Sequence, residues 1–439
     1  MKDGGSRGSW TGHFGFVLAA AGSAIGLGNI WMFPYRTGQN GGAAFVLAYL
    51  AAVALVGVPL LIAEVMIGRS TRRNPVGAFR LLGAGAWPMV GALGVITGFI
   101  ILSYYGVVAG WAMDYTWRMA TGGLAELERV GMKESFDALV ANWPRQVFWQ
   151  ALFMVTSIVV VSRGIEAGIE RASKVLMPLL FALILVLLGY SLTSPGAAEG
   201  LDFLLRPRFD ELGWDGLLSA LGQAFFSLSL GMGAMITYGS YLDADRPLVR
   251  PAFLIAAMDT ALALLAGLVI FPLVFSFGFE PGAGPGLIFI TLPQVFTLMP
   301  GASILATAFF ALILFAALTS AISLLEVVVC FLVDELEIQR GVASWAAGVV
   351  IFLLGVPSAT VGGFLDRVDG LATNWLLPIG GVLIAIFAGW LIPRATAQSA
   401  FAGDDADTRG FTAWHFCLRF IAPVAVMIIL LKKLGVLGV

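Results

Sequence analysis

The sequence predicts an all-α integral membrane protein with about eleven spanning helices, because its composition is strongly apolar and its apolar runs are long. Hydrophobic residues make up 59% of the 439 residues and charged residues 12%, whereas soluble domains are roughly 45–50% apolar. A span needs roughly 20 apolar residues to cross a bilayer. The stretches that qualify lie at 12–38, 41–69, 88–120, 145–161, 165–191, 216–241, 250–277, 301–333, 341–357, 372–392 and 411–432.

The distribution of basic residues predicts the orientation in the membrane. Short cytoplasmic loops carry an excess of Lys and Arg, and the basic clusters of this chain lie at 69–80 and 163–174. We therefore expect a multi-pass protein of the plasma membrane, the inner membrane of a bacterium, with its N-terminus in the cytoplasm. The odd number of spans leaves the C-terminus outside, where Lys432 and Lys433 are an exception to the rule.

Two spans contain stretches that are rich in glycine and small polar residues at mid-span, namely 21–29 (AGSAIGLGN) and 227–233 (SLSLGMG). Glycine costs about 1 kcal/mol relative to alanine inside a helix, so these stretches unwind most readily. For either stretch alone, close helix packing is an open alternative. Two such stretches five spans apart are typical of a binding site between inverted repeats.

This pattern predicts one domain over residues 1–439, in which repeat one covers about 10–191 and repeat two about 216–392. An additional helix follows at about 411–432. Three long connections, at 121–144, 192–215 and 278–300, lie outside under this topology. Two interpretations stay open for the last connection, a lid that folds back and a plain surface loop.

The first of the two stretches, with the residues that follow it, resembles a family signature. Residues Gly22 to Trp31, followed by Phe33-Pro34, are similar to the first-helix motif of the neurotransmitter:sodium symporters, the LeuT-like transporters. Further similarities extend over spans one to eight and more weakly to span eleven. They are Asn40-Gly41-Gly42, Gly57-Val58-Pro59 through Glu64, Gly68-Arg69, Tyr104-Tyr105, Gly164 through Gly168 and Arg171 to Pro178, Gln223 through Tyr238, and Leu318-Thr319-Ser320.

The resemblance implies a LeuT-like fold of two inverted five-helix repeats with discontinuous helices 1 and 6, and two sodium ions as cofactors. Hard cations prefer oxygen ligands, which unwound carbonyls and Asn, Ser and Thr side chains supply. For Thr319 and Ser320, bonding back to the preceding helical turn is the alternative. The first sodium site would use Ala24, Asn29, Ser227 and Asp259 with a substrate carboxylate, and the second would use Gly22, Ile25, Ala316, Thr319 and Ser320.

The resemblance also implies a substrate pocket for a neutral amino acid. Monoamine-transporting relatives carry an acid at the position of Gly26, so the substrate of this chain should keep its own carboxylate. The end of the pocket that would hold the substrate's side chain contains no formal charge, which favours hydrophobic or aromatic L-amino acids. The implied pocket residues are Ser23, Ala24, Leu27, Gly28, Ile101, Tyr105, Phe226, Ser227, Ser229, Met232, Ser320 and Leu324.

Two gates are implied. Arg7, Trp10, Tyr241 and Asp334 match the inner gate of the family. At the outer gate Asp369 remains, but Met32 stands where relatives often have the partner arginine. We therefore expect Tyr105, Phe226 and water-bridged contacts to close the outer path.

Three buried acids complete the sequence-based expectations. Asp259 stands where relatives commonly have asparagine, and Ala263 where they have the serine or glutamate linked to chloride dependence. We expect Asp259 to compensate sodium charge, so that chloride is not required, and to protonate in the empty return step; a structural hydrogen-bonding role is the alternative. Glu64 should support the break in span six, and Glu326 has no assigned role beyond packing against a polar neighbour.

Together these residues predict sodium-coupled symport of amino acids by alternating access. The net charge of -2 argues against nucleic-acid binding, and the mid-span polar residues contain no nucleophile–base set, so the chain is not expected to be an enzyme. The lipid bilayer and the amino acid are the expected partners, and no obligatory protein partner is evident. An amino-acid-gated channel and a membrane amino-acid sensor without transport remain as alternatives.

Overall fold

The computed structural model describes residues 8–243, 248–278, 286–402 and 408–436. Within these ranges, nine helices are long and apolar enough to cross a membrane, and one bent pair of helices forms a further span. We number the spans in chain order as in the sequence analysis. The unbroken ones are span two (Ala43–Thr71), three (Pro88–Ala120), four (Trp143–Ser162), five (Ile165–Ser191), seven (Val249–Ser276), eight (Ala302–Leu336), nine (Arg340–Thr360), ten (Phe364–Leu391) and eleven (Arg409–Lys433).

Span one is interrupted at its glycine-rich stretch. Its first half is the helix His13–Ala24, and its second half, Gly28–Gln39, is inclined to the first by 52°. Ile25 has an extended backbone, with φ −72° and ψ 106°. Backbone groups freed by such a break must find partners inside the protein, because lipid offers none.

Span six is interrupted at the second such stretch. Trp214–Ser227 and Ala234–Gly239 are helical, and the six residues between them are not. Gly231 and Gly233 have φ values of 80° and 76°, a region that favours glycine, and Ser229 shares it with φ 54°. Each half is too short to span a bilayer alone.

Spans three and eight form the centre of the bundle. In each of them 72% of the most apolar window is buried, against 28% for span five and 33% for span eleven. Spans five and eleven therefore turn much of their surface toward lipid. The central pair lies beside the two broken spans and supplies them with a rigid support.

The predicted bounds agree with the structure to within a few residues, except in span ten. That span begins at Phe364 and not near residue 372, because Asp366, Arg367 and Asp369 reduce the hydropathy of a turn that is nevertheless helical. The long connections also contain helices, at Leu124–Val130, Met132–Ala141, Ala197–Leu205 and Leu287–Thr297.

The sequence left open whether the third long connection folds back as a lid or is a plain surface loop. In the structure its apolar helix Leu287–Thr297 packs onto the protein. Leu287, Ile288 and Phe289 are buried. The Tyr115 hydroxyl donates to the carbonyl of Phe289 at 3.0 Å, and the Phe289 ring stacks on Phe136. Residues 279–285 lie outside the described ranges.

The bundle has two polar ends, which we name after one aspartate each. The Asp334 face carries Trp10, Tyr241 and Asp334, and Trp10 begins the chain segment that enters span one. The Asp369 face lies at the opposite end of span one and carries Arg36 and Asp369. Lys432 at the end of span eleven also lies at the Asp369 face, where it pairs with Asp215.

Candidate functional site

The two helix breaks meet in the middle of the protein, where side chains of span six satisfy backbone carbonyls of span one. The Ser229 hydroxyl donates to the carbonyl of Ser23 at 2.9 Å, and Gln223 Nε2 donates to the carbonyl of Gly28 at 2.9 Å. Span six thus supplies side-chain donors for carbonyls at the break of span one. The two glycine-rich stretches of the sequence therefore lie side by side and form one site.

A pocket lies between the breaks and spans three and eight, and all twelve predicted pocket residues line it. Gly26 is the thirteenth lining residue, which the sequence analysis considered only as the position of an acid in relatives. The cavity volume is about 20 Å³, which suffices for about one water molecule but is far below the roughly 300–1,000 Å³ of typical ligand pockets. Entry of a larger ligand therefore requires the lining side chains to move apart.

Gly26 has no room for a side chain. A Cβ atom there would lie 2.6 Å from Ser320 Oγ and 3.1 Å from the Tyr105 hydroxyl. Tyr105 in turn accepts a hydrogen bond from the backbone N–H of Leu27 at 3.3 Å. The glycine therefore leaves room at the polar end of the pocket beside Ser320 and Tyr105.

The other end of the pocket is apolar and carries no formal charge. Its wall consists of Leu27, Ile101, Phe226, Met232 and Leu324. All except the partly buried Phe226 are buried. A charged group placed against this wall would be buried without a partner, which is costly.

Beside the pocket, Asn29, Ser227 and Asp259 form a fully buried polar cluster. Asp259 accepts hydrogen bonds from Asn29 Nδ2 at 2.7 Å and from the Ser227 hydroxyl at 2.7 Å. Tyr49 of span two also donates to the Asp259 carboxylate, at 3.2 Å. The structure thus brings together three of the four residues predicted for the first sodium site, with Ala24 in the adjoining pocket wall.

Tyr49 was missed by the sequence analysis. It lies in an uninterrupted apolar stretch, and it is fully buried. A tyrosine in such a stretch gives no signal, because its ring alone explains its presence. Its position beside Asp259 follows only from the packing of span two on span seven.

Four of the five residues predicted for the second sodium site lie where span one packs on span eight. The Ser320 hydroxyl crosses between the spans and donates to the carbonyls of Ser23 at 3.0 Å and Ile25 at 3.2 Å. Gly22 packs against Thr319, since a Cβ atom at Gly22 would lie 3.2 Å from that side chain. The Ser320 hydroxyl and the carbonyls of Ser23 and Ile25 thus lie together between the two spans.

Thr319 bonds back to the preceding helical turn, which is the alternative to sodium binding that the sequence left open. Its hydroxyl bonds back along its own helix, to the carbonyls of Ala316 at 3.0 Å and Phe315 at 3.2 Å. The carbonyl of Ala316, the remaining predicted ligand, therefore lies at the Thr319 hydroxyl. A cation bound beside them would compete with this bond for the same oxygen atoms.

Glu64 of span two lies at the break in span six, as the sequence predicts. Its Oε1 accepts a hydrogen bond from the backbone N–H of Gly231 at 2.8 Å. Its other carboxyl oxygen is buried and has no hydrogen-bond partner in the described part of the chain. The side chain thereby satisfies a donor that the broken helix leaves free.

At the Asp334 face, Trp10 closes over the inner end of span six. Its indole Nε1 donates to the carbonyl of Tyr238 at 3.0 Å, and its backbone N–H donates to the carbonyl of Tyr241 at 3.4 Å. Trp10 is 6% exposed, so this N-terminal residue is packed into the protein. Arg7, the predicted partner in this gate, lies outside the described residues.

Glu326, to which the sequence assigned only packing against a polar neighbour, lies beside Tyr241 at this face. Its carboxylate forms an ion pair with Arg340 of span nine and accepts a hydrogen bond from the Tyr241 hydroxyl at 2.5 Å. Glu326 is fully buried, and the Arg340 side chain is 24% exposed. Asp334, two turns further along span eight, accepts the backbone N–H of Asn74 at 2.9 Å.

At the Asp369 face an open cavity of about 320 Å³ leads toward the pocket. Tyr105 and Phe226 line both the cavity and the pocket. Leu27 and Gly28 line both as well, so these four residues form the boundary between the pocket and the cavity. Asp369 lies at the outer wall of the cavity.

Arg36 supplies the positive charge that the sequence analysis found missing at Met32. It follows Met32 by four residues, one helical turn, and donates to Gln223 Oε1 at 3.0 Å. Its guanidinium group also interacts electrostatically with Asp369, beyond the 4.0 Å of an ion pair. The helical spacing could have identified Arg36, since residues i and i+4 share one face.

Comparison with known proteins identifies the family. The model of the sodium:neurotransmitter symporter family matches residues 7–128 and 140–437. The chain is 41% identical to YhdH of Bacillus subtilis (strain 168), described as an uncharacterized sodium-dependent transporter, over 98% of both chains. It is 27% identical to the human sodium- and chloride-dependent GABA transporter 2, over 95% of this chain and 78% of the relative.

A solved structure agrees over nearly the whole length. The crystal structure of MhsT in complex with L-phenylalanine superposes with a TM-score of 0.91 at 45% identity, covering 97% of this chain and all of MhsT. The observed order of helices, with breaks in spans one and six, is therefore the LeuT fold of two inverted five-helix repeats followed by an eleventh helix. The chain belongs to the sodium:neurotransmitter symporter family and is a sodium-dependent multi-pass membrane transporter, not an enzyme.

Proposed function

We propose that the chain couples the uptake of neutral hydrophobic and aromatic L-amino acids to sodium entry by alternating access. The observation that carries this proposal is the pocket between the two helix breaks, which has one polar end and one uncharged apolar end. That MhsT was solved with L-phenylalanine supports the same substrate class. The proposed location is the plasma membrane of a bacterium.

The polar end suits the amino and carboxylate groups that all amino acids share. Helix N-termini at the breaks favour a carboxylate, and the Tyr105 hydroxyl, beside Gly26, can donate to it. Unwound carbonyls such as that of Ser23 can accept from an ammonium group, as they accept from Ser229 and Ser320 now. The site has no charged side chain in its lining that would compete with a zwitterion.

The apolar end sets the preference for the side chain. Met232 lies in this wall, and a thioether adapts to ligands of several shapes. Phe226 forms part of the wall and part of the barrier toward the Asp369 face. We therefore expect leucine-sized and aromatic side chains to bind better than glycine, lysine or glutamate.

Two sodium ions fit the two groups of oxygen atoms beside the pocket. Ala24, Asn29, Ser227 and Asp259 would hold the first ion, together with the carboxylate of the substrate. Gly22, Ile25, Ala316, Thr319 and Ser320 would hold the second ion between spans one and eight. The shared residues Ala24, Ser227 and Ser320 belong to both the pocket and a sodium site, so that ion and substrate binding support each other.

Chloride is not required under this proposal. The negative charge of Asp259 lies within the first sodium site, where it compensates the cation directly. Ala263, one turn later on span seven, is fully buried and offers no hydroxyl for an anion. Protonation of Asp259 would keep the site neutral when the empty transporter returns.

Closure alternates between the two faces. Trp10, Tyr241 and the Glu326–Arg340 pair, with Arg7 and Asp334, would close the Asp334 face, which we assign to the cytoplasm with the N-terminus. Tyr105, Phe226, Arg36 and Asp369 would close the outer face, which then carries the C-terminus. The bond of Tyr241 to Glu326 of span eight and that of Leu27 to Tyr105 of span three join the broken spans to neighbouring helices, so that movement of the broken spans would open one face while the other closes.

The energy available to such a symporter depends on the number of sodium ions. Moving one charge through 100 mV releases about 2.3 kcal/mol, and a tenfold sodium gradient adds about 1.4 kcal/mol. Two ions thus supply roughly 7 kcal/mol, which supports accumulation of about 10⁵-fold, whereas one ion supports several hundredfold.

Uptake of radiolabelled leucine and tryptophan into proteoliposomes tests this function. We expect saturable uptake that requires an inward sodium gradient, persists when gluconate replaces chloride, and is inhibited by phenylalanine. Stronger inhibition by glycine, lysine or glutamate would contradict the substrate assignment. A channel would show sodium-independent flux without saturation, and a sensor would bind leucine without uptake.

A further inference from the structure

Ser323 of span eight is a buried polar residue next to the pocket, and it was not among the residues predicted for the site. It is 1% exposed and does not line the pocket, whereas its neighbour Leu324 does. Its hydroxyl contacts the hydroxyl of Ser23 at 2.8 Å and the carbonyl of Ser320 at 2.7 Å. Ser323 therefore connects a pocket residue of span one to span eight from behind the pocket wall.

The two partners of Ser323 determine the direction of its hydrogen bond with Ser23. A carbonyl oxygen can only accept, and a hydroxyl group has one hydrogen to donate. The hydrogen of Ser323 is used on the carbonyl of Ser320, so Ser23 must donate its own hydrogen to Ser323. The Ser23 hydroxyl is thereby fixed as an acceptor. Among the described residues, no donor occupies the lone pairs of this oxygen atom.

The bond between Ser23 and Ser323 lies at the level of the apolar end of the pocket. Ser320 belongs to the polar end, beside Gly26. Ser323 and Leu324 follow Ser320 by three and four residues, about 5 Å further along span eight toward the Asp334 face. Ser23 lies on the same side of the polar end, because it precedes the break in span one. A hydrogen-bond acceptor thus lies at the level of Leu324, which belongs to the apolar wall.

The side-chain oxygen of Ser23 is more available to a ligand than its carbonyl oxygen. The carbonyl accepts hydrogen bonds from the hydroxyls of Ser229 at 2.9 Å and Ser320 at 3.0 Å. A ligand that uses this carbonyl must displace one of the two hydroxyls. A ligand that donates to Ser23 Oγ displaces no hydrogen bond, because the bond to Ser323 uses the hydrogen and not the lone pairs.

We propose that Ser23 Oγ, fixed as an acceptor by Ser323, favours aromatic amino acids whose side chain carries a hydrogen-bond donor, as the indole N–H of tryptophan does. This inference rests on the proposed function and narrows its substrate class. An aromatic side chain that opens the pocket lies against the apolar wall, and its donor then reaches the lone pairs of Ser23. Phenylalanine has no such donor and gains no bond. Ser323 is a positioning residue, because it acts on the substrate only through Ser23.

Competition with radiolabelled leucine for binding to the purified full-length protein in sodium buffer tests this inference. The competitors are L-tryptophan and 3-benzothienyl-L-alanine, a close isostere in which a sulfur atom replaces the indole N–H. We expect wild type to bind tryptophan about fivefold more tightly than the isostere, the effect of one net hydrogen bond. Ser23→Ala removes the acceptor, so the ratio of the two inhibition constants should fall to about one.

The Ser323 variants separate positioning from general damage, because a distorted pocket weakens both ligands alike and leaves their ratio unchanged. In Ser323→Ala the Ser23 hydroxyl can turn and donate, so the ratio should fall toward one. Ser323→Thr keeps the hydroxyl and should keep the ratio. The matched control is Ser157→Ala, which alters a buried serine of span four that bonds only to its own helix, and it should also keep the ratio.

Four results would overturn the inference. A wild-type ratio of one with tight binding of both ligands would refute it alone, and this measurement needs no variant. Failure of leucine and both competitors to bind would refute the proposed function as well. A ratio that falls in Ser229→Ala but not in Ser23→Ala would assign the acceptor to Ser229. An unchanged ratio in Ser323→Ala would show that Ser323 does not position Ser23.

Discussion

Replacing Asp259 by asparagine separates the charge of this side chain from its shape. The carboxylate accepts hydrogen bonds from Asn29, Ser227 and Tyr49. An amide of the same size can still accept from Asn29 and can donate to either hydroxyl oxygen. We therefore expect Asp259→Asn to fold and to keep the pocket, but to lose one negative charge beside the first sodium ion.

The size of the effect follows from the position of the charge. Two unit charges 4 Å apart interact by about 4 kcal/mol at an effective dielectric constant of about 20. The dipole of the amide carbonyl retains part of this attraction, so a net loss of about 2–3 kcal/mol is expected, or a roughly 30- to 150-fold higher half-saturating sodium concentration. Binding of the second ion, at Ser320, should change much less.

The assay is sodium-dependent leucine uptake into proteoliposomes at a series of sodium concentrations, with chloride or gluconate as the anion. Asp215→Asn is the matched control, because it removes the same charge from an exposed side chain that pairs with Lys432. We expect the control to keep wild-type sodium affinity. We also expect the double variant Asp259→Asn with Ala263→Ser to regain sodium affinity when chloride is present.

Two results would refute this reasoning. An unchanged half-saturating sodium concentration in Asp259→Asn would show that the acid only holds the helices together by hydrogen bonds. Loss of wild-type uptake in gluconate would show that the charge of Asp259 does not replace an anion.

Three further predictions concern the two faces and the pocket. Glu326→Gln leaves Arg340 without its partner, so we expect the free energy of unfolding to fall by about 3–5 kcal/mol in thermal unfolding. The second change Arg340→Leu should restore the stability. An unchanged stability of Glu326→Gln would show that the ion pair does not stabilise the protein. Arg36→Gln removes a charged hydrogen bond of about 1.5–3 kcal/mol, so bound leucine should dissociate roughly 10- to 150-fold faster. Adding Met32→Arg should partly reverse this change. An unchanged rate of leucine dissociation would exclude Arg36 from closure. Gly26→Asp should abolish leucine binding, because the new side chain would meet Ser320 and Tyr105. The control Gly12→Ala, whose added atom meets nothing within 4 Å, should bind leucine normally. Leucine binding by Gly26→Asp would contradict the geometry of the pocket.

Much of the fold could be predicted from the sequence, because lipid imposes strict requirements on length and hydrogen bonding. Spans three and five have the predicted bounds, and both helix breaks lie where glycine and small polar residues cluster. Span ten begins earlier than predicted because hydropathy marks the apolar part of a helix and not its charged first turns. The helix Leu287–Thr297 was not predicted: the sequence left open a lid or a plain surface loop, since the apolar stretch is too short to identify a span.

The roles of Tyr49 and Glu326 could not be predicted, because each depends on partners that only the packing of different spans brings to it. Tyr49 acquires its role from Asp259, 210 residues away, and Glu326 acquires its role from Arg340 and Tyr241. No local pattern reports such pairings. Arg36 is different, because its one-turn distance from Met32 was visible in the sequence, and a helical projection would have placed it on the same face.

The thermodynamic coupling between sodium and the amino acid tests the central claim most directly. Proteoliposomes are prepared with a fixed membrane potential of zero and a series of sodium ratios, and the leucine ratio that gives no net flux is measured for each. The two sodium sites predict that the leucine ratio rises as the square of the sodium ratio. A leucine ratio that stays at one for every sodium gradient would contradict the account, because it would show that the helix breaks bind no ion that is coupled to transport.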